Sequence, residues 1–319
     1  MSDKIILDAL LQQLPGHCVL TRPEELRPYE CDGLSAYRQL PMVVVIADTV
    51  EQVQDTLRLC AEHQVPVVAR GSGTGLSGGA LPLENGVLLS MAKFNRILDV
   101  DVHNRVARVQ PGVTNLSISN TVAEHGLYYA PDPSSQIACS IGGNVAENAG
   151  GVHCLKYGLT THNIQALEVL TIDGEQLTIG GSALDAPGYD LLALLTGSEG
   201  LLAIITEITV KLLPSPDIAQ VVMAAFDSVD AAGAGVTAVI ASGIIPAGLE
   251  LLDKPAIDAV EKFIHTGYPQ DAAAILLCEL DGTQADVTAQ IKRVNQVFRD
   301  AGAIDQQVSR DEAERQRFW

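Results

Sequence analysis

RGSGTGLSGG, residues 70–79, is the stretch of this sequence that decides the fold. It follows directly on the apolar run VPVVAR (65–70), which we expect to be a buried strand, so the glycines begin where that strand ends. Glycine permits the dihedral angles with which a loop turns its N–H groups inward, and such a loop binds anions. The stretch predicts a loop that holds a phosphate-bearing ligand. A glycine-rich surface turn is the purely structural alternative.

Gly73, Gly75 and Gly78 satisfy the spacing G-x-G-x-x-G, but the context differs from a Rossmann dinucleotide site. A Rossmann site needs a helix that opens at the loop with its N-terminus towards the pyrophosphate. Here GALPLENG (79–86) follows, with Pro82 and a turn, and the next predicted element is a strand. The sequence also has no Gly-Lys-Ser/Thr at this loop, which excludes a Walker A site.

The glycine loop lies inside a predicted β-α-β unit. PMVVVIA (41–47) predicts a first buried strand, and apolar residues recur at helical spacing between Val50 and Cys60, with Asp48 or Thr49 as the cap. The unit predicts a sheet that starts out parallel. Further elements are predicted along the chain: strands at 87–91 and 107–112, a helix at 113–126, and a hairpin of 167–173 with 176–179 around Asp173-Gly174.

LLPSPD (212–217), with two prolines, predicts a domain boundary, so we expect domains at 1–217 and 218–319. Beyond it, strand-like and helix-like segments alternate through residue 301. This pattern predicts a small α+β sandwich of one sheet and one helical layer. The fold class expected for the whole chain is α+β.

Composition excludes several classes of protein. The chain has 319 residues, 47% hydrophobic and 18% charged, which allows a large core and argues against disorder. Its formal net charge of −19 argues against non-specific binding to nucleic acid or anionic lipid. The six cysteines form no C-x-x-C pair, which disfavours a zinc ribbon, an iron–sulfur cluster and a redox dithiol. The uncharged stretch 231–249 favours a buried helix, turn and strand over a membrane span, because it contains glycines and Pro246 and lacks basic flanks.

Two further segments suit a planar ligand. PDPSSQIACSIGGNVAENAGG (131–151) combines prolines, small hydroxyls and two Gly-Gly pairs, and its asparagines can hydrogen-bond heteroatoms without bringing charge. A long tight loop is its structural interpretation. GSEGLLAIITEITVKL (197–212) predicts a glycine-bounded turn that leads into a helix or strand.

In this order, the three segments resemble the FAD-linked oxidases with a vanillyl-alcohol-oxidase or PCMH-type FAD-binding domain. SIGGNVAENAGG, LKYGLT and TGSEGLLAIITEITVKLL are most similar to the FAD-linked 2-hydroxy-acid oxidases and dehydrogenases, the group of the glycolate oxidase FAD-linked subunit and of D-lactate and D-2-hydroxyglutarate dehydrogenases. The resemblance covers essentially the whole chain. It implies a PCMH-type FAD-binding domain of two subdomains, followed by an incomplete α+β cap domain, and oxidation of glycolate or D-lactate with FAD.

The resemblance also implies which residues contact the cofactor. The first loop would hold the pyrophosphate beside Arg70, the second segment would line the ribityl chain and flavin, and the third would hold the adenosine. The residues are Arg70, Gly71, Ser72, Gly73, Thr74, Gly75, Ser77, Pro131, Asp132, Ser140, Ile141, Gly142, Gly143, Asn144, Asn148, Ala149, Gly150, Gly151, Gly200 and Ile205. Thr74 stands where some relatives carry a flavin-linked histidine, so non-covalent FAD is expected.

The family's metal-binding histidine motif does not occur here, so no metal site is expected, and no catalytic residue is assigned. His153 and His162 flank the exit of the second segment and are therefore candidates for approaching the flavin. The resemblance implies a second flavin subunit and an iron–sulfur subunit as partners, in the cytoplasm or peripherally at the inner membrane face through them. ERQRFW (314–319) resembles the start of a longer family segment, so a C-terminally truncated chain is expected. Two alternatives stay open: a truncated FAD-binding chain without turnover, and a related flavoenzyme such as a UDP-sugar reductase.

Overall fold

The computed structural model describes residues 2–183 and 188–319. The contacts within the chain divide it into two compact units. Unit 1 comprises Met1–Gly151 and Leu159–Pro214, and unit 2 comprises Val152–Gly158 and Ser215–Trp319. The domain boundary that the sequence places between residues 217 and 218 stays a prediction.

The helices and strands follow one another in a mixed order. In chain order the helices are α1 (Ser2–Gln13), α2 (Pro23–Leu26), α3 (Val50–His63), α4 (Asn115–Val122), α5 (Ile141–Glu147), α6 (Cys154–Tyr157), α7 (Thr160–Asn163), α8 (Leu191–Leu195), α9 (Val229–Ala241), α10 (Lys254–Phe263), α11 (Gln284–Asp300) and α12 (Glu312–Phe318). The strands are β1 (Val19–Leu20), β2 (Val43–Ile46), β3 (Val67–Arg70), β4 (Val87–Ser90), β5 (Ile97–Asp101), β6 (Val106–Val109), β7 (Leu127–Tyr128), β8 (Ile164–Leu170), β9 (Gln176–Gly180), β10 (Ile204–Lys211), β11 (Leu213–Pro214), β12 (Ile218–Phe226), β13 (Gly248–Asp253), β14 (Ala274–Gly282) and β15 (Asp305–Val308).

The predicted β-α-β unit forms the first sheet of unit 1. Strands β2 and β3 both run parallel to β4, which lies between them, and β1 adds an antiparallel edge. Thr49 begins α3, because its Oγ1 accepts a hydrogen bond from the Gln52 N–H at 3.4 Å. Val53 and Leu57 on the buried face of α3 pack with Leu10 of α1. The parallel sheet and the helix between its strands are therefore confirmed.

The second sheet of unit 1 has the order β5-β6-β10-β8-β9, and all its neighbours are antiparallel. Alternate residues of β10 are buried, as expected for a strand with one face against a core. The predicted hairpin is confirmed: β8 and β9 pair, and Gly174 takes a positive φ of 74° in the turn. Strand β5 was not predicted from the sequence.

The segment 131–151 differs from the expected loop. It contains α5, which begins at Ser140 and ends at Asn148 in the left-handed conformation. Ser140 Oγ accepts the Gly143 N–H at 3.4 Å. The Ser140 cap thus begins a helix and the left-handed Asn148 ends it, even though two of its seven residues are glycine.

Unit 2 is built on one antiparallel sheet of order β13-β14-β12-β15. Helices α9 and α11 cover one face of the sheet, where Phe226 and Phe298 meet edge to face. The other face is covered by Ile257 of α10 and Phe318 of α12. The single helical layer predicted from the sequence is therefore wrong. The nearly continuous apolar runs of β12 and β14 reflect burial on both faces.

Two buried carboxylates of β14 hold the segment Val152–Gly158 in unit 2. Glu279 accepts hydrogen bonds from His153 Nε2 at 3.1 Å and from Arg315 Nη1 at 2.8 Å. Asp281 forms an ion pair with Lys156 and accepts the Tyr157 hydroxyl at 2.6 Å. A segment that lies within unit 1 in the sequence is thereby bound to the sheet of unit 2.

Within the described residues, no helix is both long and apolar enough to cross a membrane. The uncharged stretch 231–249 forms most of α9, a connection and the start of β13. The helix, turn and strand expected there are confirmed.

Candidate functional site

The three segments singled out in the sequence meet at one cavity of unit 1, with a volume of about 230 Å³. We call it the unit 1 cavity. Most of the predicted cofactor residues line it: Arg70, Gly71, Ser72, Gly73, Thr74, Gly75, Ser140, Gly142, Gly143, Asn144, Ala149, Gly200 and Ile205. No helix occurs between residues 71 and 86, all of which are described, so the Rossmann arrangement is absent at this loop, as expected.

Arg70 lies under the glycine loop. Its side chain is buried, its Nη1 donates to the carbonyl oxygens of Tyr29 and Ala80 at 3.4 Å, and its guanidinium lies 5.7 Å from the centre of the Tyr29 ring. Burial lowers the pKa of Arg70, but a guanidinium remains charged in proteins. Gly73, with a φ of 68°, passes directly over this group, because a Cβ there would overlap the guanidinium. The loop therefore carries a fixed positive charge beneath its backbone.

Ser140 joins the glycine loop to α5. Its Oγ accepts the N–H of Ser72 at 3.3 Å as well as that of Gly143. Gly71 leaves the space that this contact needs, because a Cβ at Gly71 would overlap Ser140 Oγ. The two glycine-rich segments thus form adjoining walls, and their approach depends on the absence of a side chain at residue 71.

Asn144 provides the clearest test of whether the cavity fits the cofactor. Its side chain is 4% exposed and lines the cavity, and its Nδ2 has no hydrogen-bond partner among the described residues. A buried donor without an acceptor is unfavourable by about 1–3 kcal/mol. A ligand with carbonyl or ring-nitrogen acceptors would satisfy it. A flavin has both kinds of acceptor, and the neutral amide of Asn144 can donate a hydrogen bond to either. The cavity therefore fits a flavin.

Gly142 and Gly143 provide a matched test of how closely α5 is packed. A Cβ at Gly142 would lie 2.5 Å from Pro111 Cβ and 3.0 Å from its carbonyl oxygen, whereas a Cβ at Gly143 meets only Ser140 Oγ, at 3.2 Å. We expect Gly142→Ala to reduce the free energy of unfolding by about 1–3 kcal/mol, because the helix must move from Pro111. Gly143→Ala should change it by less than about 1 kcal/mol, because alanine favours a helix. Urea unfolding followed by circular dichroism measures both; equal losses would contradict this packing.

The remaining predicted cofactor residues lie outside the cavity: Ser77, Pro131, Asp132, Ile141, Asn148, Gly150 and Gly151. The carbonyl oxygen of Pro131 accepts from Asn115 Nδ2 at 2.9 Å, and Asn148 Oδ1 accepts the Thr161 N–H at 3.0 Å. Ile141 is fully buried in the core of unit 1. These contacts support the walls of the cavity, and a direct role of these residues in cofactor binding stays a prediction.

The two histidines suggested by the sequence do not line this cavity. His153 belongs to unit 2, where it is bonded to Glu279, and His162 accepts the Leu159 N–H at 3.1 Å through its Nδ1. The structure gives both histidines partners other than the residues of the cavity.

Several lining residues were not assigned from the sequence: Ala69, Gly79, Ala80, Met91, Pro111, Pro133, Ser135, Cys139, Ala146, Glu147, Glu199, Ala203 and Ile204. Glu147 and Glu199 matter most, because they bring negative charge. A Cβ at Gly79 would lie 3.0 Å from Glu147 Oε1 and 2.7 Å from Glu199 Oε2, so both carboxylates reach the same point of the loop. Glu147 lies within the segment 131–151 and Glu199 within 197–212, so their position in these two segments could have identified them from the sequence.

The electrostatic state of Glu147 follows from its neighbours. Burial, the charge of Glu199 and the charge of Asp32 together raise the pKa of Glu147 above its ordinary value of 4.5. Of the side chains that line the cavity, only Arg70 is positively charged, and Glu147 and Glu199 oppose it. A phosphate-bearing ligand would therefore depend on backbone N–H groups and on Arg70 for attraction.

Comparison with known proteins identifies the two parts of the chain. Residues 41–180 match the family described as FAD binding domain, and residues 215–319 match the family described as FAD linked oxidases, C-terminal domain. The structure of p-cresol methylhydroxylase with substrate bound has a TM-score of 0.78 to this chain, at 21% identity, over 97% of this chain and 66% of that one. This likeness shows the fold alone, and the α+β PCMH-type fold class is confirmed.

Two curated relatives match almost the full chain. Glycolate oxidase subunit GlcD from Escherichia coli (strain K12) is 63% identical over 314 residues, which are 98% of this chain and 63% of the relative. D-lactate dehydrogenase from Anaerostipes hadrus is 34% identical over 310 residues, which are 94% of this chain and 65% of the relative. The chain thus spans less than two thirds of the length of either relative. Its two matched domains and this similarity show that the chain belongs to the family of FAD-linked oxidases and uses FAD as its cofactor.

Proposed function

We propose that this chain holds FAD non-covalently in the unit 1 cavity and takes part in the oxidation of a small 2-hydroxy acid, with glycolate as the first candidate and D-lactate as the second. The observation that carries the proposal is the cavity itself, in which three glycine-rich segments surround Asn144 Nδ2, a donor with no partner among the residues that the structure describes. The 63% identity to a glycolate oxidase subunit supports the choice of glycolate, and the more distant D-lactate dehydrogenase supports the alternative.

The chain's own residues would divide the binding of the cofactor between them. Residues 71–75 offer no side chain larger than threonine, so a diphosphate would meet backbone N–H groups there, above the charge of Arg70. The Asn144 amide would donate to an acceptor atom of the flavin. Thr74 lines the cavity and is not a nucleophile for flavin attachment, which supports non-covalent binding. When bound, FAD supplies the hydride acceptor for the carbon that carries the substrate hydroxyl.

We infer further that the chain works as a subunit of a larger oxidase. The E. coli relative is described as a subunit of glycolate oxidase. The six cysteines of this chain form no C-x-x-C pair, so an iron–sulfur cluster would belong to a partner, and a second flavin subunit is proposed beside it. The same proposal places the chain in the cytoplasm, where such partners would hold it at the inner face of the membrane.

The visible spectrum of the purified protein under argon tests the function. We expect a yellow flavin band that bleaches on addition of glycolate, or of D-lactate if that is the substrate, and that stays unchanged with acetate, which lacks the hydroxyl. Acid precipitation should release the flavin into the supernatant. A band that persists with both hydroxy acids would refute turnover and favour FAD binding without catalysis. Absence of the band would refute the cavity assignment.

Glu147→Gln is expected to tighten FAD binding about two- to fivefold at neutral pH. The variant removes one negative charge from the rim of a site that must accept a diphosphate, and interactions between partly exposed charges have this size. Glu124→Gln removes the same charge at a side chain that is 80% exposed and does not line the cavity, and it should leave the affinity unchanged. Fluorescence titration of the FAD-free protein measures both variants. Equal affinities would contradict a position near the diphosphate.

The proposal also predicts the direction in which the affinity for FAD changes with pH. Because the pKa of Glu147 is raised, its protonated form is favoured in the folded protein. The resulting stabilisation is fully present below the ordinary value of 4.5 and is lost as the pH rises through the raised pKa. A dianionic ligand strengthens this preference, so the affinity for FAD should fall as the pH rises through that range. In Glu147→Gln the same titration should be flatter.

A further inference from the structure

A second cluster of ligand-type side chains lies in unit 1, among residues that do not line the cavity. It consists of His17, Cys18 and Asp48, whose nitrogen, sulfur and oxygen atoms all lie within 4.8 Å of one another. His17 Nε2 lies 2.7 Å from Asp48 Oδ2, and Cys18 Sγ lies 3.2 Å from the same oxygen. No other group of this kind occurs among the described residues.

The pairing of the first two strands brings these residues together. Strands β1 and β2 run antiparallel with Val19 opposite Val45, so residues just before β1 meet residues just after β2. His17 and Cys18 belong to the single helical turn that precedes β1, and Asp48 lies between β2 and α3. The arrangement depends on the strand register, and for this reason a search for closely spaced histidines in the sequence cannot detect it.

The distances suit one ion between three ligands. A tetrahedral zinc site with bonds of about 2.1–2.3 Å places its ligand atoms about 3.5 Å apart. The distances from Asp48 Oδ2 to His17 Nε2 and to Cys18 Sγ, 2.7 and 3.2 Å, are shorter than this, because both atoms are within hydrogen-bonding distance of that oxygen. Cys18 is buried, whereas the His17 side chain is 64% exposed, so the cluster has a buried floor and an open side.

The surroundings of Asp48 fix the orientation of its carboxylate. Lys93 Nζ lies 2.6 Å from Oδ1, and this contact leaves Oδ2 facing His17 and Cys18. Gln52 Oε1 accepts the Asp48 N–H at 2.7 Å and holds the backbone of the same residue. Outer contacts of this kind orient ligands in metal sites. Lys93 also places a positive charge near the ion, which argues for a moderate rather than a very tight site.

We propose that His17, Cys18 and Asp48 form a zinc site in which imidazole nitrogen, thiolate sulfur and carboxylate oxygen are the three protein ligands and water is the fourth. Sulfur and imidazole favour zinc over Mg²⁺ and Ca²⁺, which prefer oxygen ligands. On binding, the thiol proton passes to solvent. The site departs from the expectation that this chain binds no metal, and it is independent of the proposed oxidation.

Zinc binding to the full, FAD-loaded and chelator-treated protein tests the proposal. Competition with a chromophoric zinc indicator, in the presence of a phosphine reductant, should give one zinc per chain. His17→Asn and Cys18→Ser should each weaken binding at least about 100-fold, the upper range reported for loss of an outer contact. His63→Asn and Cys31→Ser remove the same donor types outside the cluster and should change the affinity less than about twofold. Mg²⁺ and Ca²⁺ should not compete.

A spectroscopic signature distinguishes the cluster from adventitious binding. The ¹¹³Cd resonance of the cadmium-substituted protein should show one sulfur ligand, and this signature should be absent in Cys18→Ser. No saturable zinc binding at micromolar concentration, or equal binding by His17→Asn and the wild type, would overturn the proposal. His17 is exposed, so its variant keeps the test decisive even where Cys18→Ser unfolds. Flavin content, measured on the same samples, reports the cavity separately.

Discussion

Gly71→Ala is expected to weaken FAD binding about 10- to 100-fold. The new Cβ would overlap Ser140 Oγ, which is buried and holds the glycine loop against α5. Overpacking of this kind destabilises by about 1–3 kcal/mol, and to relieve it either the two walls of the cavity separate or Ser140 Oγ turns away from the N–H groups that it accepts. Flavin content after gel filtration and the Kd from fluorescence titration measure the loss.

Ser140→Ala supplies the matched rescue for that variant. Alone it removes the acceptor for two N–H groups and should weaken FAD binding modestly. Combined with Gly71→Ala it removes the overlapping oxygen, so the double variant should bind FAD better than Gly71→Ala alone. Gly16→Ala, where a new Cβ would meet nothing within 4 Å, controls for the substitution itself. Additive losses in the double variant would contradict the proposed contact.

Glu279→Ala is expected to destabilise unit 2 by about 3–5 kcal/mol, as for other buried ion pairs from which one partner is removed. Glu279 is 2% exposed and accepts hydrogen bonds from His153, Arg315 and the indole of Trp319. Its removal leaves these donors without their shared acceptor. Trp319 is the only tryptophan of the chain and lies in unit 2, so its fluorescence during urea unfolding reports the unit that should be affected.

Glu312→Ala is the control for Glu279→Ala, because Glu312 also contacts Arg315 but is 58% exposed, and it should change stability by less than about 1 kcal/mol. Burial alone raises the pKa of Glu279, but the hydrogen bond from His153 and the charge of Arg315 outweigh it and hold the pKa below 4.5. The stabilisation is therefore present above pH 4.5 and is lost as the pH falls through the lowered pKa. Wild-type unit 2 should lose stability over that range, and Glu279→Ala should lose less.

The sequence predicts those parts of the fold whose signals are local. The spacing of Val53, Leu57 and Cys60 identifies α3, and the glycines after β3 identify the loop at the cavity. Helix α5 was not predicted, because two of its seven residues are glycine and only the serine cap and the left-handed Asn148 define its ends. Local propensity therefore pointed to a loop where tertiary contacts and end caps stabilise a helix.

Other features depend on contacts that no short stretch of sequence contains. The second layer of helices in unit 2 was missed although the continuous apolar runs of β12 and β14 are typical of strands buried on both faces. Which helices cover each face depends on the fold and not on the strands themselves. Glu147 and Glu199 belong to different motifs and meet only through the fold, at Gly79. The sequence motifs therefore contain both of these negatively charged residues of the cavity, but they do not show that the two carboxylates lie close to each other.

The excursion of Val152–Gly158 into unit 2 makes that unit discontinuous in the gene. Tyr157 and its acceptor Asp281 are separated by 124 positions, so this contact can form only after the ribosome has produced most of the chain. A polypeptide that begins at Ser215 would lack α6 and would leave Glu279 and Asp281 without His153, Lys156 and Tyr157. Recombination between related genes at the 214/215 junction would therefore transfer the sheet of unit 2 without the residues that bind its buried carboxylates, unless the segment Val152–Gly158 were transferred as well.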